Sequence, residues 1–203
     1  MASKGENTRK RILDTAQAMI LDHGYAGVSV DQLISSLGLT KGAFCHHFKS
    51  KRELARTLIQ RYSDEGVQLF RDNLARARKL SDDPLQQLLI FIGLYEEIFA
   101  GLTEPYPGCL LASYVMEMQQ FDEEMRDIIN VEFYLSRTEL TKLIEQIIEN
   151  YPPRAEVDPV SLADGFMSVF EGAFILEKSM EEAAITAQQL RHYKTYVELL
   201  FKP

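Results

Sequence analysis

Residues 28–48 read VSVDQLISSLGLTKGAFCHHF, and this stretch decides the fold of the N-terminal part of the chain. Ser29 followed by Gln32 predicts a capping box that opens a short helix, and Gly38 is the residue type expected where that helix ends. Thr40 is placed to cap a second short helix, over about residues 41–47. Two short helices on either side of a glycine turn indicate a helix-turn-helix.

The second short helix has distinct inner and outer faces. Phe44 and Phe48 are four residues apart, so they share one face and are predicted to anchor the helix in the core. The small residues Gly42 and Ala43 favour a close approach of its backbone to a groove. Side chains predicted to face outward are those of Lys41, Cys45 and His46, while His47 faces either outward or into the core. Lys49, Lys51 and Arg52 lie beside the start of the next helix, a position suited to phosphate.

The rest of the chain predicts an all-α fold. Pro and Gly are few, and apolar residues recur three and four positions apart throughout, which gives about nine helices. The first covers residues 8–23, with Asn7 as its cap and Gly24 as its end. Later helices are predicted at about 51–79, 84–100, 109–119, 121–150, 159–180 and 185–201. We expect a DNA-binding domain over 1–50, a connecting helix over 51–79 and a ligand-binding and dimerisation domain over 80–203.

The N-terminal motifs resemble the DNA-binding signature of TetR/AcrR-family transcriptional regulators. The segments that carry the resemblance are RILDTA (11–16), VSVDQLI (28–34), LGLTKGAF (37–44) and HHFKSK (46–51), and it covers about residues 7–60. The resemblance implies a dimer of nine- or ten-helix subunits. Each subunit would have an N-terminal DNA-binding domain and a variable C-terminal domain for ligand binding and dimerisation.

The resemblance also implies which residues meet DNA. The expected recognition face consists of Thr40, Lys41, Gly42, Ala43, His46 and His47, and Lys51 is expected to hold a phosphate. Thr40 also has a purely structural interpretation as a helix cap. Cys45 departs from the family pattern, because members usually carry a tyrosine there that reaches the DNA backbone. We therefore expect Cys45 to weaken the affinity for DNA without affecting the fold.

The charge distribution agrees with a double-stranded DNA partner. The chain has a net charge of −8, which argues against a histone-like protein or a polybasic membrane binder. Residues 1–62 nevertheless hold ten lysines and arginines against five acids, a net charge of +5, and the remainder carries −13. One short end of an acidic protein is basic, and this asymmetry suggests nucleic-acid binding.

Other classes of protein have little support in the sequence. Two cysteines, Cys45 and Cys109, cannot form a disulfide framework or a four-ligand zinc site, so no cofactor or metal is expected. The N-terminus lacks the apolar segment of a signal peptide, and the longest strongly apolar run, about residues 88–94, is too short to span a bilayer. These features predict a cytoplasmic protein without a membrane partner.

Aromatic and methionine residues of the C-terminal part either form plain core or line an effector pocket. The candidates for the pocket are Phe91, Tyr95, Phe99, Tyr106, Cys109, Met116, Phe166 and Phe170. Such a lining suits a hydrophobic or weakly polar small molecule. The acids Glu96, Glu97 and Glu117 either select a cation or form a solvated face.

The last two helices are predicted to form a dimer interface. The helix over 159–180 is apolar on more than one face, which indicates a partner beyond its own core. The predicted interface residues are Phe170, Ala173, Phe174, Tyr193, Val197 and Leu200. A two-fold dimer would present two recognition helices to successive major grooves of a palindromic site, about 34–36 Å apart.

Cys109 has two interpretations of its own. It starts a predicted helix, where the helix dipole favours a thiolate, and the Gly-Cys-Leu segment is similar to one in a branch of the family that senses electrophiles or oxidants. Alternatively it is a small packed residue beside Leu110, and the nearby Glu104 opposes a thiolate.

The sequence therefore predicts a dimeric DNA-binding regulator and not an enzyme. Its most direct interpretation is a repressor that a small hydrophobic or electrophilic effector releases from a palindromic operator. The alternative is a helical small-molecule carrier without a DNA function, which the basic N-terminal end disfavours. A di-iron enzyme is disfavoured as well, because no histidine follows an acidic residue by three positions.

Overall fold

A computed structural model describes residues 4–201, and this part of the chain is helical throughout apart from its turns and loops. The elements are α1 (Lys4–Gly27), α2 (Val30–Leu37), α3 (Lys41–His47), α4 (Lys51–Leu80), α5 (Pro84–Ala100), α6 (Leu110–Val115), a 3₁₀ helix (Met118–Gln120), α7 (Glu123–Asn150), α8 (Pro159–Met180) and α9 (Ile185–Phe201). The predicted all-α class with about nine helices is confirmed. Two predicted details are wrong. Helix α1 already includes Asn7, which is therefore not its cap, and the helix predicted over 109–119 ends early and gives way to the 3₁₀ turn.

Helix boundaries follow the capping residues. Asp83 and Asp158 each accept hydrogen bonds from backbone N–H groups of the following turn, and each precedes a proline at the first helical position. Proline is tolerated there because the first helical N–H groups have no partner within the helix. Gly24 interrupts α1 with φ of +74°, so the predicted end of the first helix survives as a kink within a longer element.

The described chain divides into two compact units. The first comprises the N-terminal helices up to Asp64 together with residues 109–130, and the second comprises residues 65–108 and 131 onward. Helices α4 and α7 each contribute residues to both units. The division places residues 109–130 with the helix-turn-helix, whereas the sequence suggested a single C-terminal domain beginning at residue 80.

The first unit is built on the buried face of α1. Ile12, Ala16 and Ile20 are at most 3% exposed, and Leu33, Phe44 and Phe48 from the two short helices are equally buried. The guanidinium of Arg9 lies 4.9 Å from the centre of the Phe48 ring. Phe44 and Phe48 are therefore the anchors that the sequence predicted, and the opposite face of α3 is left to solvent.

The second unit has an aromatic core between α5, α8 and α9. Phe91, Tyr95, Phe99, Phe166 and Phe174 are buried, and neighbouring ring centres lie about 5 Å apart. A buried carboxylate closes one end of this core. Glu177 is 1% exposed and accepts hydrogen bonds from the backbone N–H groups of Tyr106 (2.8 Å) and Thr186 (2.7 Å).

Helix α8 is the most apolar element of the second unit. Within residues 4–201 it is the helix long and apolar enough, by length and composition alone, to cross a bilayer, although only 28% of that window is buried within the chain. A search of the sequence for uninterrupted apolar runs does not find this helix, because glycine, serine and charged residues interrupt its apolar positions. Core and interface helices of soluble proteins have the same character.

Candidate DNA interface and effector region

The turn between α2 and α3 has the local geometry of a helix-turn-helix. Ser29 and Gln32 form the predicted capping box, with the Gln32 N–H donating to Ser29 Oγ at 3.2 Å and the Ser29 N–H donating to Gln32 Oε1 at 2.8 Å. Gly38 adopts the left-handed conformation with φ of +63°, where glycine carries no steric penalty. Thr40 Oγ1 accepts from the N–H of Ala43 at 3.2 Å, so its structural role as a cap is confirmed.

The exposed face of α3 presents most of the predicted DNA-binding residues. Thr40, Lys41, Gly42, Cys45 and His46 are exposed, whereas Ala43 and His47 are half-buried. The ring of His47 meets that of His46 edge to face at 5.1 Å, so the two imidazoles form one polar surface beside Cys45. This exposed helix face is held from behind by two buried phenylalanines, and the major groove of B-DNA is wide enough to admit an α-helix.

Lys51 has an intramolecular role that the sequence did not predict. Its Nζ donates to the backbone oxygen of Tyr25 and lies 4.1 Å from the centre of the Tyr25 ring. Burial lowers the pKa of Lys51, while the nearby Glu117 carboxylate acts in the opposite direction. The ammonium group therefore fastens α4 to the end of α1, and its predicted phosphate contact stays a prediction.

Glu117 joins residues 109–130 to the same turn. Its two carboxylate oxygens accept from the backbone N–H groups of Tyr25 (2.6 Å) and Ala26 (2.9 Å), directly after the kink at Gly24. The rings of Tyr114 and Phe121 pack against Tyr25 at 5.7 and 5.0 Å. The sequence suggested Glu117 as a cation selector or a solvated acid. No local sequence signal could have predicted this contact, because more than ninety residues of the chain separate Glu117 from Tyr25 and Ala26.

Two ion pairs extend this attachment along α4. Arg52 pairs with Asp122 and Arg56 pairs with Glu124, all four side chains being partly exposed. Asp122 also caps α7 by accepting from the N–H of Met125 at 3.0 Å, and this hydrogen bond, together with Arg52, lowers the pKa of Asp122. Arg52 is therefore engaged within the first unit, whereas the sequence suggested it as a phosphate ligand.

The candidate pocket residues divide between the two units. Phe91, Tyr95, Phe99, Tyr106, Phe166 and Phe170 belong to one ring cluster in the second unit, as their predicted association requires. Cys109 and Met116 belong to the first unit. Met116 is 77% exposed, which argues against it as a pocket residue. Cys109 Sγ accepts from the N–H of Ala112 at 3.4 Å and so caps α6.

Most of the predicted dimer residues are buried within the single chain. Ala173, Phe174, Tyr193, Val197 and Leu200 are at most 6% exposed within a single chain, because the apolar stripes of α8 and α9 pack on each other and on α5. Phe170 is half-buried in the ring cluster. The apolar side chains that α8 and α9 leave to solvent are Val160, Ile175, Leu176, Met180, Tyr196 and Leu199.

The helix-turn-helix region matches a known protein family. Residues 12–58 match the family described as bacterial regulatory proteins, tetR family. The helix-turn-helix of this chain is therefore that of the TetR family, which is a family of DNA-binding transcriptional regulators and not of enzymes.

Individual relatives extend the similarity beyond the helix-turn-helix. The chain is 29% identical over 163 residues to the transcriptional regulator AcuR of Cereibacter sphaeroides, covering 78% of this chain and 71% of that protein. It is 22% identical over 183 residues to the transcriptional repressor DhaR of Mycobacterium sp. strain GP1, covering 84% and 82%. The crystal structure of a TetR-family regulator from Agrobacterium tumefaciens shares the fold, with a TM-score of 0.74 at 24% identity over 98% of this chain and 100% of that one.

Proposed function

We propose that this TetR-family regulator is a dimeric repressor that binds a palindromic operator through α3 and is released by a small molecule. DNA binding is supported by the exposed face of α3, which presents Lys41, Cys45 and His46 on a helix whose other side is fully buried. Lys41 at the start of α3 and Lys49 just after its end would supply phosphate contacts. Repression is proposed by analogy with the repressor DhaR, and a cytoplasmic location follows from the target.

The exposed apolar residues of α8 and α9 support the dimer. Ile175 and Leu199 are 65% and 63% exposed, Leu176 and Met180 of α8 are exposed as well, and clustered exposed apolar side chains mark interaction surfaces. Gly172, on the same side of α8 as Ile175, has open space around it, which leaves room for a helix from a second copy. We therefore place the two-fold axis at this face, in place of the buried residues suggested by the sequence.

DNA binding is tested by selection from a random duplex library with the purified protein. We expect the enriched sequences to contain an inverted repeat, and the affinity to fall steeply with salt because phosphate contacts release counterions. Lys41→Ala should flatten the salt slope by about one unit for one phosphate contact. Lys194→Ala, which removes a lysine of the second unit, is the matched control. Enrichment of no sequence, or a salt slope unaffected by Lys41→Ala, would contradict the proposal.

The coupling of effector and DNA is proposed to run through residues 109–130. Helix α7 begins in the first unit and continues into the second, so a ligand that shifts α7 would act on Asp122 and Glu124 and on their partners in α4. Glu117→Gln should weaken the attachment at Tyr25 and reduce the effect of any effector on operator affinity. An unchanged response in Glu117→Gln would exclude this route.

Cys109 favours a second candidate effector, an electrophile. Its sulfur caps α6, and α6 ends just before Glu117, so a covalent adduct on the sulfur would remove the cap of the helix that holds this carboxylate. Cys109→Ser keeps a capping atom but loses the nucleophile. Both proteins compared carry Cys45→Ser, because alkylation of this exposed thiol on α3 would itself block DNA. We expect Cys45→Ser to be released from operator by N-ethylmaleimide and Cys45→Ser/Cys109→Ser to resist it. Release of the double variant by the reagent would exclude the candidate.

A further inference from the structure

The second unit contains a half-buried glutamate, one carboxylate oxygen of which is buried without a hydrogen-bond partner. Glu132 lies on α7, and its Oε2 is buried without a hydrogen bond to any residue in the described range 4–201. Burial raises the pKa of Glu132 to about 7, and the negative charge of Glu171 on α8 adds to this effect. A buried polar atom without a partner costs free energy, so its retention calls for an explanation.

Helix α4 makes room for this carboxylate. A Cβ at Gly66 would lie 2.3 Å from Glu132 Oε2 and 2.7 Å from Oε1, so the space beside the bare backbone is occupied by the carboxylate. Glycine in a helix interior is less favourable than alanine by about 1 kcal/mol. Gly66 therefore accommodates Glu132 at the expense of helix stability.

Two further buried polar groups lie at the same level of the unit. Asn73 is 8% exposed and Ser136 is fully buried; Ser136 Oγ has no hydrogen-bond partner in the described range, and the amide of Asn73 faces the Tyr95 hydroxyl. Their position along the helices follows from two contacts between α4 and α7. Gly66 lies against Glu132, and further along both helices Arg78 pairs with Glu139. Asn73 and Ser136 lie between these two contacts.

Aromatic residues of α5 and α8 lie close to Glu132. Burial and the negative charge of Glu132 raise the pKa of Tyr95 on α5, an effect that the amide of Asn73 partly offsets. The Tyr95 ring packs against Phe91, Phe166 and Phe170, with ring centres 5.2 to 5.6 Å apart. Carboxylates beside aromatic rings are the surroundings in which proteins bind organic cations, through ion pairing and attraction to the ring faces.

We propose that Glu132 and Glu171 form the anionic end of the effector site and bind an organic cation that carries an ammonium group. The N–H donors of the ammonium would satisfy Glu132 Oε2, and a polar atom next to it would meet Asn73 and Ser136. The body of the ligand would lie against Tyr95. The inference rests on the proposed effector response and assigns a cationic ligand where the sequence suggested a small hydrophobic or electrophilic effector.

The charge preference is tested with three probes that share one body. These are 2-phenylethylamine, 2-phenylethanol and phenylacetate, whose binding to the full chain is measured by titration calorimetry. We expect the amine to bind at least tenfold more tightly than the alcohol and phenylacetate to bind worst. Glu132→Gln should abolish the preference, while Glu145→Gln, the same change at an exposed position of α7, should keep it. Equal binding of amine and alcohol, or a preference that survives in Glu132→Gln, would overturn the proposal.

Two stability measurements require no ligand. Glu132→Met removes a buried charge without a partner, so it should raise the melting temperature of the unliganded protein by several degrees. A lower melting temperature would mean that Glu132 serves the fold, and would overturn the proposal. Gly66→Ala should displace the carboxylate, so it should weaken amine binding while the melting temperature falls little or rises. Unweakened amine binding in Gly66→Ala would equally contradict the site.

Operator binding separates this site from the proposed function. If the amine binds with the expected preference but leaves operator affinity unchanged, the cation site stands and the effector response through it fails. If another molecule releases the operator while the amine shows no preference over the alcohol, the regulator stands and the cation site fails. Both results are obtained on the same wild-type protein, with the selected duplex as the DNA.

Discussion

Single residues of this regulator acquire their roles from neighbours that are distant in the chain. Lys51 and Glu117 are charged and occur in polar segments, which favours an interpretation as solvated or phosphate-binding groups. The fold brings both to the turn after Gly24, where Lys51 binds the Tyr25 carbonyl and Glu117 binds the N–H groups of Tyr25 and Ala26. The capping residues Ser29 and Thr40 differ because their partners lie within three residues.

Cys45 is the exposed residue of α3 whose replacement should strengthen DNA binding. Family members usually carry tyrosine there, and a phenolic hydroxyl can donate to a phosphate oxygen. We expect Cys45→Tyr to raise operator affinity about fivefold, the equivalent of one hydrogen bond of about 1 kcal/mol. The measurement is fluorescence anisotropy with the selected duplex, and Cys45→Ser is the control for loss of the thiol. Equal affinities for the tyrosine and serine variants would contradict the contact.

Glu132 should make the stability of the protein depend on pH near neutrality. Its pKa in the folded chain is about 7, above the ordinary value of 4.5, so the folded state holds a proton that the unfolded state releases. The contribution of Glu132 to the free energy of unfolding is therefore complete below about pH 4.5. It falls by up to about 3 kcal/mol as the pH rises to about 7. The groups that face Glu132 are Glu171 on α8, Tyr95 on α5 and the backbone of Gly66 on α4.

Urea unfolding of the wild type and of Glu132→Gln at several pH values tests this dependence. The free energy of unfolding of Glu132→Gln should lack the decrease between about pH 5 and pH 7, whereas Glu145→Gln should retain it. Parallel curves for the wild type and Glu132→Gln would exclude a raised pKa at this site.

For whole helices, residues nearby in the chain determine where a helix begins and ends. Which face of the helix stays exposed depends instead on the helices that pack against it. Helices α2, α3, α5 and α9 begin and end where the caps and the periodicity predict. The outer face of α8 could not be predicted, since apolar residues occur all around this helix. Only the packing of α5 and α9 against it distinguishes buried Phe174 from exposed Ile175, although the two are adjacent.

Gly38 is the residue that ends α2 and sets the angle of the turn. An added Cβ would meet nothing within 4 Å, so the cost of Gly38→Ala comes from the left-handed backbone alone. We expect this variant to lower the free energy of unfolding by about 1 to 2 kcal/mol. Gly38→Asn, whose side chain tolerates the same conformation, should lose less. Equal losses for alanine and asparagine, measured by urea unfolding, would mean that the backbone conformation is not the cause.

At the scale of the whole molecule, the acidic and basic residues are more mixed than the sequence suggested. The segment 109–130 contains five acids and one arginine and belongs to the unit that carries the helix-turn-helix. Asp122 and Glu124 pair with Arg52 and Arg56, so these two arginines add little to the positive charge available to DNA, while Lys41 and Lys49 stay exposed at α3. The +5 of residues 1–62 therefore overstates the charge available to DNA.

Dimerisation is tested at the exposed face of α8. Ile175→Glu places a charge in the proposed interface, and because Ile175 is 65% exposed the fold of the single chain should persist. We expect the wild type to sediment as a dimer at micromolar concentration and Ile175→Glu to sediment as a monomer with unchanged helical circular dichroism. Leu80→Glu, at a residue 61% exposed on α4, should stay dimeric. A dimeric Ile175→Glu variant would place the interface elsewhere.

The helical class and the helix-turn-helix follow from the amino-acid sequence alone, because capping boxes, the turn glycine and the periodicity of apolar residues act between neighbours in the chain. The sequence also identified the anchors Phe44 and Phe48 and the aromatic residues that later proved to be clustered. The tertiary structure alone decided the attachment of Glu117, the apolar face that α8 leaves uncovered and the burial of Glu132 beside Gly66. Each depends on which helix packs on which, and no pattern within one segment specifies the partner that a side chain meets.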